Sequence, residues 1–328
     1  MASIRKFGTR KLQRGGHTLI LGWSPLAIEV IRELTIANEN VRNPRIAILA
    51  QVSSDQIVSE LAQLELGRQR FCVIQGDPTS LADLERAQVL VSNSIVDLNS
   101  DFRELEDKAI AQASTHSALA VVVEDLLSFA GDEIYFSRLP ALDRKTYADA
   151  VLAFNSAAVI GFESGGQIHL NPEATTVLPE GAQIIAVAED DDRIIYTGIR
   201  EDALAKLDLT KARTLAQISD STQGVAELGN VKAKLLAQVS ENPSLLGIFE
   251  NLFDPQKPNL GLVSVTDFCQ PDRPIAVADL AVAAISVGYS LIGYFDSASG
   301  AVALNPKKSI SLNPHQDDAL VVIGSFVR

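Results

Sequence analysis

The first arrangement able to do chemistry is a glycine-led turn behind an apolar run. Residues 17–21 (HTLIL) lead into Gly22-Trp23-Ser24-Pro25-Leu26-Ala27, where the N–H groups of a helix start could hold an anion. A dinucleotide-binding turn reads G-x-G-x-x-G/A. Gly22 and Ala27 fit it, but Ser24 stands where the middle glycine would admit the pyrophosphate. The position for a ribose-binding acid, at the end of the next strand, is Gln51. This turn argues against NAD(H) and NADP(H). It leaves Gly22, Trp23, Ser24, Gln51, Gly76 and Asp77, all at strand ends, as candidate contacts for an unidentified ligand.

A second candidate is the run Glu189-Asp190-Asp191-Asp192, a possible site for Ca2+ or another hard cation. Calcium takes about six to eight oxygens, so the run would need carbonyls or carboxylates from elsewhere. Without them it is a solvated loop. His17, His116, His169 and His315 are scattered and form no HExxH pair, and Ser164 lies among glycines but not in G-x-S-x-G. No catalytic residue is expected and the chain reads as a non-enzyme. Cys72 and Cys269 are too few for a disulfide framework or a zinc site and read as two buried thiols.

The 328 residues carry 28 Lys and Arg against 41 Asp and Glu, a net charge of −13. Residues 1–16 hold Arg5, Lys6, Arg10, Lys11 and Arg14 and no acid, which leaves the remainder at −18. An acidic body of this kind is a poor nucleic-acid binder, because such binding is driven by phosphate neutralisation. The basic start lacks the apolar core of a signal peptide and is open to three readings: a linker, an added terminal stretch, or a segment lying near an anionic membrane. The nearest candidate for a membrane span, residues 275–295, is interrupted by Asp279, Ser286, Gly288 and Ser290. No span is expected.

Strand and helix alternate in the first third. Apolar runs at 17–21, 45–50, 71–74 and 94–98 are expected strands. Helices are expected from Pro25, capped by Ser24, over residues 54–66 before Gly67, and from near Ser80. This alternation implies a parallel sheet with helical crossovers, a Rossmann-like lobe.

The remaining two thirds contain a duplication. Ala109-Ile110-Ala111-Gln112-Ala113-Ser114 returns as Leu235-Leu236-Ala237-Gln238-Val239-Ser240. Val159-Ile160-Gly161-Phe162 matches Leu291-Ile292-Gly293-Tyr294, and Leu170-Asn171-Pro172 matches Leu304-Asn305-Pro306. Each copy reads as two helices separated by a break, then a small α/β lobe. That lobe has a hairpin, turning at residues 163–166 or 296–300, and a final strand at 184–187 or 320–323. The second helices carry Leu119, Val122, Val123 and Leu126 in one copy and Leu245, Ile248, Phe249 and Leu252 in the other. Helices this apolar need cover.

Residues 17–24 (HTLILGWS), Ile36-Ala37-Asn38-Glu39, Glu124-Asp125-Leu126-Leu127, residues 168–172 and 188–192, and residues 235–243 and 249–254 resemble the cytosolic part of Castor/Pollux-type ion channels. Those channels belong among proteins with tandem RCK (TrkA-like) domains. The resemblance implies a basic linker over 1–16 and a shortened Rossmann-like N-lobe over 17–108, with four readable strands where the family has about six. It further implies crossover helices and a first C-lobe over 109–197, a connecting segment over 198–234, and second crossover helices and C-lobe over 235–328. The same resemblance implies that the two copies pair through their apolar second helices about a pseudo-twofold axis. The implied function is a gating ring on the cytoplasmic face of a membrane, a homo-oligomer whose partner is a pore-forming segment or subunit and not nucleic acid. Ligand-dependent rearrangement of its lobes would control ion flux, potassium among the candidates. Two rival readings are an NAD(P)-dependent oxidoreductase, which Ser24 and Gln51 disfavour, and a soluble nucleotide-binding sensor serving a separate transporter subunit.

Overall fold

The apolar runs of the first third become a five-stranded sheet in a computed structural model that describes residues 3–8, 10–13, 15–219 and 228–327. The first elements are β1 (Ser3–Gly8), β2 (Thr18–Leu21), α1 (Pro25–Ala37), β3 (Arg45–Ala50), α2 (Ser54–Leu61), β4 (Arg70–Gln75), α3 (Leu81–Arg86) and β5 (Ser94–Asp97). The strands are parallel and ordered β1-β4-β3-β2-β5. Part of the expected linker is thus an edge strand: β1 pairs with β4 and Ile4 packs towards the core. Its basic residues concealed it, although charges suit an edge exposed to solvent. Arg14 lies outside the described residues.

The two copies follow with matching elements. The first has α4 (Arg103–Ala113), α5 (Ser117–Leu127), β6 (Glu133–Arg138), α6 (Tyr147–Val151), β7 (Ala158–Ser164), β8 (Gln167–Leu170) and β9 (Gln183–Ala188). After α7 (Glu201–Leu204) and β10 (Leu215–Ala216), the second has α8 (Val231–Glu241), α9 (Leu245–Leu252), β11 (Asn259–Ser264), β12 (Ile275–Ala276), α10 (Val277–Val287), β13 (Ser290–Asp296), β14 (Ala301–Leu304), β15 (Ser311–Leu312), β16 (Ala319–Gly324) and β17 (Phe326–Val327). Their four-stranded antiparallel sheets have the same order, β6-β9-β7-β8 and β11-β16-β13-β14. Both are irregular at the same place, between Val159 and Gly161 and between Leu291 and Gly293. A Cβ on Gly161 would collide with the His169 carbonyl oxygen, and one on Gly293 with that of Ala303. The repeated glycine therefore has a steric cause.

The chain forms two compact units. One comprises Met1–Glu106, Leu127–Ala130 and Gly229–Leu246; the other comprises Asp107–Leu126, Gly131–Leu228 and Gly247–Arg328. In the first unit, α1 and α2 cover one sheet face over Ile20, Ile46, Ile48 and Val73. α8 joins them, packing on α1 and β5 and burying Ala233, Leu236 and Ala237 there. Small residues at two of these positions allow close approach. A helix of the second copy thus supplies cover for the first lobe's sheet.

In the second unit both copies share one core, with Tyr147, Phe154 and Ala186 from the first and Leu280, Tyr289 and Val322 from the second. They meet through β7 and β13 and through α6 and α10, and the helices that open each copy also reach the other: Gln112 of α4 donates to the Leu260 carbonyl at 2.5 Å, and Gly247 of α9 lies against Ile168. The first five residues of β7 and of β13 are all buried, so each strand needs cover on both faces. The apolar residues of α5 and α9 are also buried. Phe249 is fully buried and stacks on Phe253 with ring centroids 6.0 Å apart. Phe249→Ala should cost about 3–5 kcal/mol in chemical denaturation, and a loss below about 1 kcal/mol would show that the site is loosely packed.

Candidate functional site

Because β2, β3 and β4 are parallel, their carboxyl ends bring Gly22, Gln51 and Gly76 to one sheet edge, with Trp23, Ser24 and Asp77 beside them. Gly22 has φ +99°, open to glycine at no steric cost, and its N–H donates to the Leu49 carbonyl at 2.9 Å. The Gly76 N–H likewise donates to the Ala50 carbonyl at 2.9 Å. Trp23 is half-buried, and its indole Nε1 donates to Glu60 Oε2 at 2.9 Å, tying the turn to α2. Ser24 precedes α1 with extended backbone, and its side chain makes no capping hydrogen bond.

The edge is acidic. Asp77 Oδ1 accepts from the Thr79 N–H at 2.8 Å and the Thr79 hydroxyl at 2.7 Å, which hold its carboxyl below the usual range. Asp83 Oδ2 accepts the Asp77 N–H at 2.7 Å, and Arg86 pairs with Asp83. A pyrophosphate placed here would face carboxylates. The order of strands reverses between β2 and β5, the usual position of a ligand crevice in such sheets. Leu98 stands against Gly22 there, and Lys232 Nζ donates to the Leu98 carbonyl at 3.4 Å. Glu60 and Lys232 were not singled out from sequence: Glu60 is one polar residue on an amphipathic helix, and Lys232 arrives 134 residues after Leu98.

The acidic run follows β9. Asp190 Oδ1 accepts the Asp191 N–H at 2.7 Å, and Arg193 lies 3.4 Å from Asp192 and 3.9 Å from Glu189. Glu189 and Arg193 line a cavity of about 380 Å3 with Asp132, Ser156, Asn305 and Lys307. Among the described residues no three His, Cys, Asp or Glu side chains gather to hold a metal ion. The run also acts on half-buried neighbours. Burial, followed by repulsion from Asp190 and Asp191, pushes the Glu133 carboxyl up to about 7, although the Tyr135 hydroxyl donates to it at 3.1 Å.

The histidines do structural work. His17 Nε2 lies 3.0 Å from the Ala87 carbonyl, His169 stacks on Phe162, His116 meets Phe295 edge-on, and His315 lies 3.0 Å from Asp272. Ser164 ends β7 at its hairpin. The two thiols are free and half-buried rather than fully buried, and burial raises both.

The joint between the copies is the best-developed polar site. Asn171 Nδ2 donates to the Gly288 carbonyl at 2.8 Å, and Asn305 Nδ2 donates to the Ser156 carbonyl at 2.9 Å. The two bonds are counterparts under the duplication. Both asparagines occupy the left-handed region, at φ +44° and +43°, which asparagine tolerates better than most residues. The fully buried Tyr147 hydroxyl is 2.6 Å from Ser290 Oγ, and Ser290 donates to Asn171 Oδ1 at 2.7 Å. Lys308, also buried, donates to the Ala157 carbonyl at 2.6 Å. No carboxylate pairs with it among the described residues, and burial pulls its ammonium down to about 7.

Residues 103–202 match the family model described as Castor and Pollux, part of voltage-gated ion channel. The ion channel CASTOR of Lotus japonicus is 28% identical over 248 residues, covering 58% of this chain and 29% of that protein. The probable ion channel POLLUX of Arabidopsis thaliana is 26% identical over 247 residues, covering 58% of this chain and 30% of that protein. The chain spans under a third of the length of these relatives. The structure of the human SLO3 gating ring aligns with a TM-score of 0.60 at 11% identity, covering 95% of this chain and all of that one. The chain is thus similar in sequence to the Castor/Pollux ion channels and shares its fold with the SLO3 gating ring.

Two pH dependences follow. Lys308 has a folded value below its unfolded one, so the unfolded state binds more protons between about pH 7 and 10.5 and stability gains with pH across that window. The melting temperature of Lys308→Met minus that of the wild type should therefore fall as pH rises from 7 to 10; a constant difference would mean that Lys308 titrates normally. Glu133 is the reverse case: its folded value is raised from 4.5 to about 7, so it costs stability progressively as pH rises through that interval. Glu133→Gln should raise the melting temperature by a few degrees at pH 8 and far less at pH 5, as read by calorimetry. An equal effect at both values would contradict the electrostatic origin.

Proposed function

We propose that the chain is the cytosolic regulatory region of an ion channel or potassium transport system, assembled as a homo-oligomeric gating ring beneath a separate pore-forming segment or subunit. The observation that carries this reading is the pairing of two copies of one lobe, joined by reciprocal asparagine bonds, within a gating-ring fold. Its relatives are ion channels by name, which supports a place on the cytoplasmic face of a membrane. Among the described residues no helix is long and apolar enough to cross a membrane, so the pore is assigned to other residues.

Regulation requires a ligand that binds one lobe arrangement better than another. Gly22, Trp23, Ser24, Gln51, Gly76 and Asp77 are the proposed contacts for it, and a cation at Glu189, Asp190, Asp191 and Asp192 would relieve the repulsion on Glu133. Catalysis forms no part of this reading. Light scattering on the purified 328-residue chain should give a mass that is a multiple of 35.2 kDa. A monomer at all concentrations up to about 100 μM would contradict ring assembly by this region. Micromolar NAD(H) binding with hydride transfer would favour an oxidoreductase instead.

A further inference from the structure

The face of the parallel sheet opposite α1 and α2 carries a lateral row of basic groups. Arg70 on β4 pairs in register with Arg45 on β3. His17 continues the row, since the next residue, Thr18, pairs with Ile46. One rung along, Arg5 on β1 pairs with Cys72. Residues in register on adjacent strands share a face at about 4.8 Å spacing, so these side chains crowd together. Arg42 and Arg68, from the segments entering β3 and β4, complete the wall of a cavity of about 820 Å3.

This cavity is electrostatically unbalanced. No Asp or Glu lines it, although the chain carries 41 acidic residues against 28 basic ones. Elsewhere Arg32, Arg86, Arg138, Arg144 and Arg213 each pair with a carboxylate. None of the five cavity arginines has such a pair among the described residues; Arg68 donates only to the Glu39 carbonyl, at 2.6 Å. Arg45 is half-buried, and like charges side by side on a sheet are unfavourable. His17 is 3% exposed, and its Nδ1 is buried with no hydrogen-bond partner. Nε2 lies 3.0 Å from the Ala87 carbonyl and must donate to it, which leaves Nδ1 the acceptor of the neutral ring, the form that burial favours.

We infer that this cavity binds a small polyphosphate anion carrying two or more phosphoryl groups. Guanidinium groups form bidentate, charge-assisted bonds to phosphoryl oxygens. Arg45 and Arg70 sit one strand apart, and Arg5, Arg42 and Arg68 surround them, a spread that suits several phosphoryl groups better than one. His17 Nδ1 would accept the hydroxyl of a monoprotonated phosphoryl group. The site lies at the opposite end of the strands from the edge holding Gly22, Gln51 and Gly76, and does not depend on the channel reading.

The test is calorimetric titration of the 328-residue chain with pyrophosphate and tripolyphosphate, with sulfate at matched ionic strength as control. Binding in the micromolar range is expected, tighter for tripolyphosphate, weak for sulfate and falling with added salt. Arg45→Gln and Arg70→Gln should each weaken it about tenfold or more, whereas Arg144→Gln should leave it unchanged. Because the first two substitutions relieve repulsion, their melting temperatures without anion should equal or exceed that of the wild type, which separates lost binding from lost folding. ADP run in parallel distinguishes the source: tighter binding than pyrophosphate assigns the site to nucleotides, equal or weaker binding to free polyphosphate. Absence of binding at millimolar tripolyphosphate and low salt, or equal binding by wild type and the Arg45→Gln/Arg70→Gln double variant, would overturn the proposal.

Discussion

A buried tyrosine hydroxyl cannot be left without a partner at small cost, and Tyr147, which reaches the Val159 carbonyl of its own copy at 3.2 Å, makes its shorter contact, 2.6 Å, with Ser290 of the other copy. Its bond to Ser290 leads on to Asn171, which donates across to Gly288, while Asn305 returns the same bond to Ser156. These polar links sit beside a core in which both copies bury their central strands. One lobe alone would expose that apolar surface and lose the donors from the other. The duplication is therefore a structural requirement: each copy supplies the other's cover.

A second dependence runs through the smaller unit. Its sheet has five strands, one of them the edge strand β1. α8 contributes Ala233, Leu236 and Ala237 to that sheet's cover. The second copy thus contributes to both units. The buried Lys308 adds a sensitivity to pH, since an ammonium held without a carboxylate near pH 7 costs stability that a neutral amine does not.

Much of this was legible in the residues. The four apolar runs of the first third became β2 to β5, and the matched hairpins became β7–β8 and β13–β14. The reason is local: strand runs, glycine-led turns and helix starts announce themselves within a few residues. β1 was hidden because its basic residues outweigh its apolar alternation. β6 and β11 were missed because no turn signal brackets them as a pair, and each finds its partner far along the chain, on β9 and β16. The candidate edge of Gly22, Gln51 and Gly76 could be read because parallel strands bring their ends together. The row of His17, Arg45 and Arg70 could not, since only strand register makes neighbours of residues so far apart. Nothing local marks Lys308, between Lys307 and Ser309, as buried. Its burial is a tertiary fact.

The claim that the two copies form one cooperative body is tested most directly by native-state hydrogen exchange on the wild-type chain across sub-denaturing urea. The amides of β7 and β13 should exchange through a common opening, with the same free energy and the same dependence on urea. Tyr147→Phe and Asn305→Ala should lower protection in both strands together. Exchange of β13 through an opening that leaves β7 protected, or variants that loosen only the copy in which they lie, would contradict a shared body.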